Sequence, residues 1–375
     1  MTSLFTFLQA IAGRVRTAAV GALITGACAI APAQAATPQH IFIVMLENQN
    51  YATTFGPNSP APYLSKTLAG QGALLTQYYG IGHNSLPNYI ALVSGQAPNP
   101  QTQADCPYFT DWLGDTRLDA NGQVGLGSGC VYPTTALTVA NQLQAAGLRW
   151  KAYVEDMGKD LARDGSLTCA HPALNAQDGT QKATATDSFA TRHNPFMYFH
   201  AIIDDELGCN ANVVSLDRLD ADLGTVSATP QLTFIVPSLC SDGHDAPCAD
   251  GSVGGLPQID KFLQTLVPKI MASPAFKQDG LLLILFDEAS LQDASACCNE
   301  KPGPLSLMPG IVGAGGGRVG AVALSPFIAP GTVSNVGYNH YATLRSIEDM
   351  FKLPYLGFAG APGLQTFGLD IFRTK

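Results

Sequence analysis

Three short polar clusters have the residue types and the placing to do chemistry. Glu47-Asn48 follows the apolar run His40–Leu46, Asp287-Glu288 follows Gly280–Phe286, and Ser85 opens Ser85-Leu86-Pro87-Asn88-Tyr89, which runs on to Gly95. Ser85 stands where a helix N-cap would. Pro87 fits the first turn, where a missing N–H costs nothing, and Gly95 supplies a stop. A hydroxyl in that place meets unpaired backbone N–H groups and the positive end of the helix dipole, a setting that stabilises an alkoxide or a phosphate bonded to it. Carboxylates, an amide and a hydroxyl are all hard oxygen donors, suited to a divalent metal ion such as Mg²⁺, Mn²⁺ or Ca²⁺. A metal beside Ser85 would lower the pKa of its hydroxyl and polarise a phosphoryl oxygen. Taken singly, each cluster reads more readily as a helix cap or a solvated strand end, and it is the three together in the right topological place that reverse the balance.

The apolar pattern indicates the elements that would do so. Residues 40–46 and 280–286 are unbroken apolar runs of strand length, as expected of parallel strands buried on both faces. Further strands are expected at 73–79, 148–154, 231–236 and 319–324, and helices at 62–68, 85–94, 139–146, 259–270 and 344–351, the last stopped by Pro354. Residues 98–133, 156–194 and 240–255 lack periodicity and read as long loops. This alternation predicts an α/β fold, a three-layer α/β/α sandwich around a mostly parallel central sheet. Neither an internal repeat nor a linker divides the chain, so one domain is expected over residues 36–375. In such sheets ligands bind beyond the carboxyl ends of the strands, which is where the polar clusters fall.

Residues 1–35 read as a cleaved export signal. Arg14 and Arg16 precede an apolar stretch over 17–30, and Ala33-Gln34-Ala35 is a small-residue cleavage site. That stretch is too short and interrupted for a membrane span, and no second long apolar stretch follows, so a secreted or periplasmic protein without a stable membrane span is expected. Removing the two arginines takes the formal charge from −9 to −11. So acidic a chain is a poor partner for nucleic acid. Past Cys28 there remain eight cysteines, all in loop-like sequence, and in an exported chain these favour disulfides over zinc ligation. The pairing is open, with Cys106 and Cys130 expected to hold the 98–133 insertion.

With these residues in view, a resemblance becomes specific. Ile43-Val44-Met45-Leu46-Glu47-Asn48, His83-Asn84-Ser85-Leu86-Pro87-Asn88-Tyr89, Ser241-Asp242-Gly243-His244-Asp245, Phe286-Asp287-Glu288 and His340-Tyr341 resemble, in order, motifs of the bacterial phosphoesterase family of acid phosphatases and phospholipases C, within the alkaline-phosphatase-like superfamily. Residues 147–157 and Arg192-His193-Asn194-Pro195-Phe196 resemble further family segments, so the likeness covers nearly all of 40–357. Length and spacing are most similar to the small secreted phosphatases of the phosphatidylinositol-3-phosphatase type. The resemblance implies an alkaline-phosphatase-like fold, with Ser85 as a nucleophile that becomes transiently phosphorylated. It also implies a metal held by Glu47, Asn48, Asp287 and Glu288 with Ser85. Asn88 would donate to the phosphoryl oxygens, and His244 would bind phosphate or protonate the leaving oxygen. His340 and His193 would be further substrate-side residues. Two departures stand out: Asn84 where relatives usually have proline, and Ser241-Asp242-Gly243-His244-Asp245 where they often have Asn-Asp-Met-His-Asp.

The expected function is therefore that of a secreted, metal-dependent phosphomonoesterase acting on a phosphate ester, a small molecule or a phospholipid headgroup such as a phosphatidylinositol phosphate. A phospholipase C-type phosphodiesterase would use the same residues, and a non-catalytic exported binding protein would need to have lost some of them. A sulfatase motif would place arginine at the position of Tyr89, and a carboxyl-ester hydrolase would need a Gly-x-Ser-x-Gly elbow, which is absent. Gly315-Gly316-Gly317-Arg318-Val319-Gly320 matches a dinucleotide-binding pattern only formally, since it precedes a strand instead of opening a helix.

Overall fold

The apolar run His40–Leu46 becomes strand β1, and all seven of its side chains are buried. Successive side chains of a strand point to opposite faces, so full burial means that both faces of the sheet are covered there. The same holds for Gly280–Phe286. The structure is a computed structural model describing residues 36–374; the expected export signal, residues 1–35, lies outside the described residues.

Eight strands form the main sheet: β1, β2 (Ala73–Leu75), β3 (Trp150–Val154), β4 (Val213–Ser215), β5 (Leu232–Val236), β6 (Gly280–Phe286), β7 (Ala321–Leu324) and β8 (Thr332–Ser334). Their order is β8-β2-β7-β6-β1-β5-β3-β4. Every neighbouring pair is parallel except the two made by β7, which runs antiparallel to both β2 and β6. The expected α/β class and mostly parallel sheet are thus observed. β6, β1 and β5 lie side by side at the centre, so their carboxyl ends open onto one shared patch.

Four helices matter for the site: α1 (Ser85–Ser94), α2 (Val139–Ala145), α3 (Gly255–Ala272) and α4 (His340–Phe351). All ten residues of α1 are buried, as suits a helix apolar on nearly every side, and it packs along α4. Gly95 ends α1 at φ 68°, in the left-handed region that glycine adopts freely, and its N–H donates to Ala91 O. Thr138 and Asn141 close a reciprocal capping box on α2.

Several expectations shift. The 73–79 run splits: β2 joins the sheet, while Tyr78–Tyr79 pairs with Tyr338–Asn339 in a separate two-stranded ribbon. The helix expected over 62–68 forms as a π-helix over Tyr63–Leu68. β4 and β8 are additions to the expected strands, because three residues carry too short a pattern to stand out. The eight cysteines pair as Cys106–Cys130, Cys169–Cys209, Cys240–Cys248 and Cys297–Cys298. The first staples the 98–133 insertion, as expected.

On α4, Glu348 is buried and its pKa is pushed up to about 8, chiefly by desolvation. Its Oε1 accepts from Leu356 N–H at 2.8 Å, while its Oε2 and the Gln142 side-chain oxygen both lack partners. A proton on Oε2 would serve both. A carboxyl group whose folded pKa is raised stabilises the fold fully below its unfolded pKa, and that contribution declines as pH rises through 8. Glu348→Gln is therefore expected to raise the melting temperature by a few degrees at pH 8 and to leave it unchanged near pH 4, read by calorimetry at both pH values.

Candidate functional site

Three neighbouring strands each end in an acid. β1 leads to Glu47, β6 to Asp287 and Glu288, and β5 to the turn that carries Asp242; all four side chains are buried. Backbone bonds lock these ends together, Glu47 N–H donating to Asp242 O (3.0 Å) and Asp287 N–H to Leu46 O (2.9 Å). Glu155, at the end of β3, accepts from Ser238 N–H and from the Ser241 hydroxyl, which braces the turn bearing Asp242.

Ser85 lies at the first position of α1, one residue inside the cap expected for it. Its hydroxyl donates to Glu47 Oε2 at 2.7 Å. The preceding residue, Asn84, has φ 63° and ψ 147°, a conformation closed to proline, whose ring fixes φ near −65°. Non-glycine residues held in such regions cost on the order of 1–3 kcal/mol and cluster at functional sites. The α1 N-terminus is capped from outside the helix: Asp105 Oδ1 accepts from Leu86 N–H at 2.9 Å. Sequence alone offers no signal for that cap, which reaches the helix across 19 residues from a disulfide-bonded loop. Asp105→Ala is expected to lower stability by about 1 kcal/mol, the usual worth of a helix cap, measured by denaturant titration.

Glu47 is the hub. Oε2 accepts from Ser85 and from Asn48 Nδ2 (2.8 Å), and Oε1 accepts from the Tyr89 hydroxyl (2.7 Å). Asn48, at φ 57°, also donates its backbone N–H to Asp287 Oδ1 at 2.8 Å, leaving its side-chain oxygen for another partner. His193 stacks on Tyr89 and bonds Asp242 Oδ2 through Nδ1 at 2.8 Å; its Nε2 lies 3.4 Å from Glu47 Oε1 and has no hydrogen-bond partner. Burial, then the charge of Arg192, hold His193 well below its ordinary pKa, so it is neutral with a lone pair on Nε2.

This collection of acids is electrostatically incomplete. Burial, then the charge of Asp287, pushes Glu47 well above the usual carboxylate range; burial and Asp287 do the same to Glu288, and burial raises Asp242. Asp287 rises to about 7 by burial, and its Oδ2 is buried without a partner. No lysine or arginine makes an ion pair with any of the four among the described residues. Like charges packed out of water need a cation, and the unpartnered Asp287 Oδ2 and His193 Nε2 are ligand atoms without another use. Glu47, His193 and Asp242 already place ligand atoms within 4.8 Å of one another. The residues present therefore fit a divalent metal. Sequence reasoning misses Asp242 and the ligand-like pose of His193, although both stand in recognisable motifs.

Asn88, His340 and His244, expected at the substrate or in catalysis, make the following bonds. Asn88 Oδ1 accepts from the N–H groups of Ile81 and Gly82, and its Nδ2 donates to Gly82 O, Asn84 O and Glu288 Oε2. Its donors are all engaged, so it clamps the turn before Ser85 and has none left for a phosphoryl oxygen. His340 is fully buried, donating from Nε2 to Asp287 O (2.8 Å) and accepting on Nδ1 from the Tyr78 hydroxyl (3.1 Å). Burial lowers its pKa to about 4, so it is a neutral prop behind Asp287. His244 lies beside the site, but its Nε2 faces Arg192 Nη2 at 3.1 Å and its Nδ1 faces Asp245 Oδ1 at 2.8 Å. Arginine can only donate, so Nε2 accepts and the proton is on Nδ1. In this arrangement His244 has no proton to hand to a leaving oxygen. It holds Arg192, a buried guanidinium that also donates to Gln181 O and makes no ion pair among the described residues.

The family model described as "Phosphoesterase family" matches residues 58–354. Among curated relatives, the "Probable acid phosphatase" of Kluyveromyces lactis is 24% identical over 88% of this chain and 62% of its own length. The "Phosphatidylinositol-3-phosphatase" of Mycobacterium tuberculosis is 24% identical over 85% of this chain and 79% of its own. The chain spans about three-fifths of the length of the fungal acid phosphatases it matches. A solved structure titled as a protein in the alkaline phosphatase superfamily, from Vibrio parahaemolyticus, aligns with a TM-score of 0.44 at 12% identity, covering 86% of this chain and 69% of that one.

Proposed function

The chain belongs to the phosphoesterase family, and on that premise we propose that it is a secreted, metal-dependent phosphomonoesterase that works through a phosphoserine on Ser85. The observation that carries this reading is the Ser85 hydroxyl at the start of α1, hydrogen-bonded to Glu47 within a buried, cation-deficient ring of acids. Names of relatives, acid phosphatase and phosphatidylinositol-3-phosphatase, support the same substrate class.

In the proposed reaction Ser85 Oγ attacks phosphorus in line with the ester bond, and its proton passes to Glu47 Oε2. The phosphorus–oxygen ester bond breaks, its electron pair leaves with the alcohol oxygen, and that oxygen takes a proton from water. The hydroxide so formed then attacks the phosphoserine from the vacated side, the bond from Oγ to phosphorus breaks, Ser85 Oγ takes back the proton held on Glu47 Oε2, and orthophosphate departs. We assign Arg192, whose charge acts on Asp242 and Asp105 without an ion pair to either among the described residues, as the positive group for the phosphoryl oxygens. Glu47, Asp242, Asp287 and Glu288, with Asn48, Ser85 and His193, are the residues that would hold the metal. When bound it supplies Lewis-acid stabilisation of the phosphoryl charge and a lower pKa for the serine hydroxyl. The mostly oxygen set fits Mg²⁺, Mn²⁺ or Ca²⁺, and the imidazole nitrogen favours Mn²⁺ among them.

The test is turnover of p-nitrophenyl phosphate beside bis-p-nitrophenyl phosphate across pH. Preferential monoester hydrolysis with a burst of phosphate label on Ser85 is expected. Preferential diester cleavage would replace this reading with a phospholipase C-type one.

A further inference from the structure

Beside the N-terminus of α4 the fold shapes a cavity of about 490 Å³. That lies within the roughly 300–1,000 Å³ usual for sites that take small molecules. None of Ser85, Glu47, Asp242, Asp287 or Glu288 lines it. Three aromatic rings, Tyr341, Tyr355 and Phe358, supply its apolar wall, and residues 298–301, Asn339 and the loop around Asn121 supply the polar one. Asn121, Asn299 and Tyr355 are exposed, so the mouth opens to solvent.

The polar wall is fixed in advance. Cys298 is tied to Cys297 by a disulfide, and its N–H donates to Glu300 Oε2 at 3.2 Å. Glu300 Oε1 accepts from Asn339 Nδ2 at 2.8 Å, and Asn339 in turn caps α4 by accepting from Ala342 N–H at 2.9 Å. Groups already held in place lose less entropy when a ligand arrives. Tyr341 stands apart from this network. It is 2% exposed, yet its hydroxyl has no hydrogen-bond partner among the described residues. Buried polar groups are nearly always paired, so a bare hydroxyl on a residue of the cavity wall calls for a partner from outside the chain.

Charge and ring geometry narrow the ligand. The charged residues in the lining are Glu300 and Lys301, one of each sign, and Lys301 Nζ already donates to Asn299 Oδ1 at 3.2 Å. A wall without net charge favours neither an anion nor a cation. A flat aromatic base would want two parallel faces to lie between. Phe358 instead meets Tyr341 edge to face, at 82°, and the Arg345 guanidinium covers one face of Tyr355, 4.4 Å from the ring centre. Single aromatic faces suit the C–H face of a sugar. The side-chain amides of Asn121, Asn299 and Asn339 carry donors and acceptors together, as hydroxyl groups that both donate and accept require.

We propose that this cavity binds a neutral sugar ring, stacked on Tyr355, with one of its hydroxyl groups bonded to the Tyr341 hydroxyl. The site shares no lining residue with the Ser85 centre and does not depend on the phosphatase reading.

The test is saturation-transfer NMR on the purified protein. The probes are methyl α-D-glucopyranoside, methyl α-D-mannopyranoside and methyl β-D-galactopyranoside, each beside adenosine. Transfer to at least one glycoside is expected, with millimolar affinity. Tyr341→Phe removes a hydroxyl that bonds nothing in the free protein. It should therefore leave the melting temperature unchanged and weaken that glycoside about fivefold, the worth of one hydrogen bond. Tyr355→Ala, a change at an exposed ring, should weaken it about tenfold. Calorimetry shows which variants are folded, and either one decides if the other is not. No transfer to any of the three glycosides, or an affinity unchanged in the folded variants, would overturn the site. So would displacement of the glycoside by orthophosphate, which would put the sugar at the Ser85 centre. A preference for adenosine over all three glycosides would overturn it too, because the ligand would then be an aromatic base.

Discussion

Ser85→Ala is expected to reduce phosphate release by about 10³-fold or more while leaving the melting temperature close to that of the wild type. The geometry explains both halves. Ser85 Oγ makes one side-chain bond, to Glu47 Oε2, and the helix it opens is capped by Asp105, so alanine removes the nucleophile without removing the cap. Loss of one bond to a carboxylate that still accepts from Asn48 and Tyr89 costs little. Steady-state kinetics and calorimetry on the same preparation check this. Turnover that survives the substitution would dismiss Ser85 as the nucleophile and the phosphoserine with it. A large fall in melting temperature would instead show that the hydroxyl has a structural role.

The second large effect is expected from metal removal. Dialysis against a chelator should abolish turnover and lower the melting temperature by several degrees, and both should return on adding one divalent ion. The reason lies in the raised pKa values of Glu47, Asp242, Asp287 and Glu288: without a cation these buried groups resist ionisation, and a ligand that binds only the folded state stabilises it by roughly 3–4 kcal/mol at 100 to 1,000 times its dissociation constant. Asp287→Asn should weaken metal retention, measured by elemental analysis of the purified protein. The ion that restores activity, tried among Mg²⁺, Mn²⁺ and Ca²⁺, identifies the cofactor. Full turnover in protein shown to be metal-free would sink the assignment.

Much of this architecture is legible in the chain itself. Continuous apolar runs at 40–46 and 280–286 identify central parallel strands because only a strand covered on both faces can be apolar without alternation. The acids that follow them are legible for the same reason: a buried strand ends where polarity begins. The ordered motifs then mark Ser85 together with the acids that the fold gathers near it. Short elements such as Val213–Ser215, and the split of 73–79 between two sheets, are not legible, because pairing partners far along the chain decide them.

Within the site the division is sharper. Residue types and order are enough to propose a nucleophile and a set of hard donors, and to find the end of the sheet where they meet. Only the tertiary structure decides which hydrogen bonds each residue has left. Asn88, His340 and His244 all carry the right groups for touching substrate. Yet Asn88 clamps the turn, His340 props Asp287, and His244 is held to the Nδ1-protonated form by Arg192. Asp242 and His193 become candidate ligands because β5 lies next to β1, a neighbourhood that joins residues about 150 to 200 positions apart along the chain. A sequence lists donors and acceptors, but each one's role depends on what is packed against it, and that packing exists only in the folded chain.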